Sequence, residues 1–193
     1  MQKAVLIIIA SFLLFFIVFP KHVVFAADSS QSAGSSQSAA VSPTGVPDYV
    51  LPYPGILPDN PFYFLKVLRD RLILFFISNP TKKSSFYLLQ SDKRLEASWY
   101  LLRRSEKDQP LAVSTLSKST NYLSQSLGAA QQAQQNGDDV SDLRSRLQSA
   151  IAKHVAIVGM MLHLPGISQI DGLNQEEKRL IDLQKAVEDF GKK

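Results

Sequence analysis

The sequence predicts an all-α protein: a short proline-led helix, then long antiparallel helices packed as a bundle or as hairpins, with no sheet. Three observations carry this. Apolar residues recur at spacings of three and four, and no stretch sustains a period of two. Start and stop signals punctuate the chain at Pro58-Asp59-Asn60-Pro61, Asn79-Pro80, Asn136-Gly137 and Pro165-Gly166. The connections between the periodic stretches are short, which favours antiparallel neighbours.

The chain of 193 residues divides into 1–26, 27–47, 48–163 and 164–193. Residues 1–26 read as a signal peptide or an N-terminal anchor. Lys3 supplies a positive start, Ala4 to Phe19 is an unbroken low-polarity run, and Val24-Phe25-Ala26-Ala27 offers small residues for cleavage. Cleavage after Ala26 puts Val24 at the −3 position. The rival is a retained anchor, since the run is rich in Phe and Ile and Lys21 and His22 suit the far interface. Either reading places the domain outside the cytoplasm, secreted or tethered to the cytoplasmic membrane.

Residues 27–47 form a Ser/Ala/Gln linker. SSQSAG (Ser29 to Gly34) is followed by SSQSAA (Ser35 to Ala40), a tandem hexapeptide that buries too little to offset its ordering entropy. Such a tether spans about 25 Å. Pro47, Pro52, Pro54 and Pro58 then stiffen an arm whose Tyr49, Leu51, Tyr53, Ile56 and Leu57 suit packing along a bundle.

The first helix follows Asp59 or Asn60, with Pro61 in its first turn. Phe64, Leu65, Leu68, Leu72, Phe75 and Phe76 share one broad face, and Lys66, Arg69 and Asp70 lie opposite. The charges make it a poor spanning segment. The expectation is that Phe64, Leu68, Leu72 and Phe75 are buried against the long helices; an open face would instead indicate interfacial binding at a membrane.

A second helix is expected over 81–107, with Leu88, Leu95, Trp99 and Leu102 on one face and Phe86, Leu89 and Tyr100 widening it. Asp92 is expected in a rim ion pair with its basic neighbours, and Arg103 over the Trp99 indole. The third helix starts near Asp108 or Gln109, carries Leu111, Leu116, Leu123, Leu127 and Ala130, and stops at Asn136-Gly137. The fourth follows Asp138-Asp139. Its Val140, Leu143, Leu147, Ile151, His154, Val158 and Leu162 make the clearest seam in the chain. Asn174 with Glu177 resembles a capping box before a last helix striped by Leu180, Leu183, Val187 and Phe190.

Composition excludes several functions. There are no cysteines, which removes disulfides, thiolate metal sites and thiol nucleophiles. Two of the 21 basic residues, Lys3 and Lys21, lie in the leader, so 19 face 17 acidic residues in the remainder. That balance gives no electrostatic footprint for nucleic acid. No phosphate loop, serine elbow or HExxH motif occurs. His154 and His163, nine apart on one helix, cannot aim at one ion. They leave only a weak metal set with Met160 and Met161. No carboxylate at helical spacing orients His154 as a base. Glu176 and Glu177 are explained by capping. The expectation is no catalytic, cofactor-binding or metal-binding residue, no cofactor and no enzyme.

The segment PYPGILPDNPFYFLKVLRDRLILFFISNPTKKSSFYLLQSDKRLEAS resembles the opening of a bacterial domain of unknown function, number fifty-six sixty-seven in its series. The carriers are Leu57-Pro58-Asp59, Pro61 to Lys66, Pro80, Lys82-Lys83 and Asp92 to Ala97, with weaker likeness over Leu116 to Leu123 and at Lys153-His154. Together they cover 52–154. Asn79 stands where the family has an acid, and Ser84-Ser85 where it has Ala-Glu, which is expected to weaken the cap of the second helix. The resemblance implies an exported or membrane-anchored helical domain and names no catalytic residue. The resulting expectation is a non-catalytic binding or structural module of the bacterial envelope. Its partner would be an envelope protein or the membrane surface, with a homo-oligomer as a further option. The alternatives are an amphipathic module docking on the membrane and an envelope metal or stress sensor.

Overall fold

In a computed structural model, residues 48–190 are described. The leader and the linker fall outside them. Five α-helices and a short 3-10 turn follow one another: α1 (Tyr63–Phe76), α2 (Pro80–Arg104), the turn Glu106–Asp108, α3 (Gln109–Gln135), α4 (Ser141–Leu162) and α5 (Ile170–Phe190). No strand occurs among the described residues. The fold is therefore all-α, as the apolar spacing requires.

The four long helices close a ring in the order α2, α3, α5, α4. The core runs through all of them, with Leu88, Leu95, Leu116, Leu123, Leu147, Ile151, Val158, Leu173 and Leu180 almost wholly buried. The seam of α4 is as expected except at its end, where Met161 takes the buried place and Leu162 is half-buried.

The α2–α3 hairpin is the tightest contact, and its closeness has a chemical cause. Ser84, Ser91 and Ser98 are seven apart on α2; Ala112, Ser119 and Ser126 are seven apart on α3. Antiparallel pairing brings Ser84 to Ser126, Ser91 to Ser119 and Ser98 to Ala112. Each serine of the first two pairs donates across the interface to its partner's carbonyl, at 2.7 and 2.8 Å for one pair and 2.8 and 2.9 Å for the other. Ser98 donates to Ala112 O at 2.8 Å. Small side chains let the backbones approach, and the hydroxyls satisfy themselves without solvent. Leu89 and Tyr100, expected to widen the apolar stripe of α2, are instead 40% and 50% exposed because both lie on the side of the helix away from the buried serines and leucines.

Caps differ from expectation at two places. Asn79 does not weaken the start of α2: its Oδ1 accepts from Lys82 N at 2.9 Å, and Pro80 follows at the first helical position. The last helix starts at Ile170, with Leu173 N bonded to Gln169 O, so Asn174 and Glu177 are interior and form no capping box. The earlier start brings Gly172 against α3. A Cβ there would lie 2.7 Å from Val113 Cγ1. Gly172→Ala is expected to destabilise by about 1–2 kcal/mol although alanine favours helices, read as a lower midpoint in urea with unchanged slope.

Candidate functional site

The feature that departs furthest from a closed bundle is α1. Its wheel has two faces, and the buried one is not the apolar one. Tyr63, Lys66, Val67, Asp70 and Leu74 turn inward, and Asp70 is the one member that is nearly fully covered, at 5% exposure. The expectation for Phe64, Leu68, Leu72 and Phe75 is overturned. Phe64 is 61%, Phe75 82% and Phe76 77% exposed, and Leu65, Leu68 and Leu72 are half open. The helix makes no extensive contact with any of the four long helices.

The inversion has a physical reason on α2. Arg94 is buried with its guanidinium 4.3 Å from the centre of the Tyr122 ring and its Nη1 bonded to Gln90 O and Oε1. Arg94 and Asp70 both act on Tyr63 and Lys66, so the inner face of α1 turns its polar side chains toward a buried cation, while Asp70 Oδ2 and Arg94 Nε are each left without a hydrogen-bond partner. Burial pushes the Tyr63 hydroxyl above its ordinary value.

Two further ties hold α1 and the arm. Lys66 Nζ donates to Pro54 O at 2.6 Å and reaches Ile56 O at 3.4 Å. Gly55, at φ +71°, turns the chain so that both carbonyls bracket the ammonium, a conformation a side chain would strain. Asp59 pairs with Arg104, which also binds Asp108 at 2.8 Å.

At one turn per 3.6 residues, the outward apolar arc of α1 spans about 120°. Arg71 stands at one edge and Arg69 at the other. The only carboxylate of the helix, Asp70, is buried and bonded to Arg69 at 2.8 Å. Every exposed charge on α1 is therefore positive. The six outward side chains together offer roughly 600 Å² of apolar surface, at or beyond the largest patch a monomer usually carries.

The other polar residues singled out from the sequence lie apart from α1. Asp92 is not in a rim ion pair. It is 4% exposed, and it accepts from Tyr49 Oη at 2.7 Å while its other oxygen lies 2.9 Å from His154 Nε2. The carboxylate that orients His154 thus comes from α2, not from its own helix. His154 is wholly buried and its Nδ1 has no partner. Burial, and then Asp92, push the Tyr49 hydroxyl well above its ordinary range. His163 is exposed at the C-terminus of α4 with Nδ1 2.7 Å from Gly159 O, and Met161 is in the core. Among the described residues no group of three His, Asp or Glu is placed to hold a metal ion. Glu176 is buried and gripped through both oxygens by Arg179, which also reaches Ser117 and Asn121 on α3, so it fastens α5 to α3. Arg103 lies over Trp99 as expected, 4.7 Å from the ring centre.

Residues 55–150 match the family model described as Domain of unknown function (DUF5667). The chain therefore carries a domain of unknown function. The match runs from the arm through α1, α2 and α3 into α4, within the stretch that carries the resemblance in the sequence. No curated protein and no solved structure matches the chain.

Proposed function

We propose that the chain is a non-catalytic helical module of the bacterial envelope, exported and held near the cytoplasmic membrane, that docks on the outer membrane surface through α1. The observation that carries this is the outward apolar face of α1 between Arg69 and Arg71, with its one carboxylate turned inward. An interfacial helix needs that distribution: apolar side chains sinking below the headgroups, and cations at both edges extending to phosphate. Charge favours a bilayer over a protein of mixed surface, because all exposed charges on the helix share one sign. The expected leader adds reach, since about 25 Å of linker would keep α1 beside the membrane. No helix among the described residues is long and apolar enough to cross a membrane.

The test is co-sedimentation with vesicles. Residues 41–193 contain the whole described core, and serve as the test protein without the leader. They are expected to pellet with vesicles containing phosphatidylglycerol. Phe75→Ser with Phe76→Ser, both at exposed positions, is expected to weaken binding at least tenfold with the circular-dichroism melt unchanged. No binding by the parent overturns the proposal. A concentration-dependent dimer abolished by the same substitutions would assign the face to a second copy instead.

A further inference from the structure

Beside α1 lies an open cleft of ≈ 460 Å³ between the arm, α1 and α2, lined by Tyr53, Ile56, Leu65, Lys66, Arg69 and Lys93. Its charged lining is three cations and no carboxylate. Two carbonyls of the arm occupy donors of Lys66, leaving one N–H free. Arg69 spends Nε and one Nη2 hydrogen on Asp70 Oδ1, leaving the rest of its fork. Lys93, half-buried, has no bonded partner among the described residues. Arg94 acts on Lys66 in the same sense as Lys93 and Arg69, and Asp70 opposes the three. Ile56 and Leu65 add apolar surface to the lining. A cleft lined by free cationic donors and aliphatic side chains fits a phosphate that bears a carbon chain.

We propose that this cleft binds the phosphate group of a phosphate ester through Lys66, Arg69 and Lys93. The inference deepens the docking reading, because an anionic lipid headgroup and a soluble glycerophosphate both present anionic phosphate oxygens next to a glycerol carbon chain, the first as a singly charged diester and the second as a monoester. The state of Lys66 supports it. Burial first, and then Arg94, pull the Lys66 ammonium down to about 8; Asp70 opposes them, while Lys93 and Arg69 add to them. An anion in the cleft relieves that repulsion and holds the proton on.

Two arms separate the sources. In the first, glycerol 1-phosphate is titrated into residues 41–193 by calorimetry. The expected result is binding at pH 7 that weakens severalfold by pH 9.5. The sign follows from Lys66: below about 8 it carries its charge, and above it the charge is lost, while the phosphate is already doubly ionised at pH 7. Near pH 8 binding should take up protons, seen as a heat that changes with the ionisation enthalpy of the buffer. In the second arm, vesicles with and without phosphatidylglycerol are compared. Lys93→Glu is expected to cost tenfold or more in both arms, and Lys93→Arg to restore binding. Arg69 is left intact because its loss would strand Asp70. Binding of glycerol 1-phosphate without any vesicle binding keeps the site, assigns it to a soluble ester and removes the docking reading. Vesicle binding indifferent to Lys93→Glu, with no heat from glycerol 1-phosphate, overturns the site and leaves docking intact. A flat pH profile overturns the role of Lys66.

Discussion

Ser91→Leu is expected to destabilise the domain by about 3 kcal/mol, lowering the melting temperature by roughly 10 °C, whereas Ser91→Ala costs about 1 kcal/mol or less. Ser91 is wholly buried, and its Oγ lies 3.0 Å from Ser119 Oγ. A leucine has no room there unless α2 and α3 move apart. Moving them also loosens the Ser84–Ser126 pair one heptad away, since both pairs sit on one straight contact. Alanine removes one hydroxyl, with its contacts to Ser119 O and Ser119 Oγ, but keeps the approach. Chemical denaturation of the two variants decides the matter. Equal midpoints would mean that the hairpin is held by hydroxyl bonding alone and that close approach contributes nothing.

The same hairpin shows where a sequence pattern stops being readable. Leu88, Leu95 and Leu102 announce their heptad because leucine is apolar. Ser84, Ser91 and Ser98 follow the same period one step around the helix, yet serine counts as polar and suggests a solvent face. Only the matching triplet Ala112, Ser119 and Ser126, pairing in reverse order, could reveal a second buried face. That comparison needs the hairpin register, which the short connection at Ser105 and the 3-10 turn implies. The small-residue spacing was therefore present as a signal and lacked only its partner.

α1 is a different case. Its amphipathic wheel was legible, and so was the membership of the apolar face; Arg69, expected opposite that face, stands exposed at its edge. Which face turns inward depends on what waits beneath, and the buried Arg94 is set by α2 and α3, not by α1. Periodicity reports that two faces differ; the neighbour decides which one is covered. The seam of α4 was legible almost to its end because its apolar stripe met an apolar core, and its one polar member, His154, found a buried partner in Asp92. The start of α5 was misplaced by an Asn-x-x-Glu pattern that mimics a cap inside a helix. The backbone of Gln169 closes the first turn instead, and no side-chain signal marks it.

Asp92→Ala is expected to cost about 3–5 kcal/mol, the range for removing one member of a buried charged or strongly polar pair. Two groups depend on this carboxylate. Tyr49 Oη would lose its acceptor and the arm its attachment to α2. His154, wholly buried with Nδ1 already unpartnered, would then have no partner at either nitrogen. Separate substitutions apportion these effects. Tyr49→Phe removes only the arm contact and is expected to cost about 1 kcal/mol, with faster proteolysis near 48–58. Asp92→Leu combined with His154→Leu removes both members of the buried pair, and its cost should fall well short of the sum of the two single changes. An additive result would show that Asp92 and His154 stabilise the fold independently. The expected non-additivity makes them one internal latch, joining α2 to α4 and, through Tyr49, fixing the arm that carries the carbonyls around Lys66. Loosening that latch should then weaken glycerol 1-phosphate binding in Tyr49→Phe, although Tyr49 is no part of the cleft.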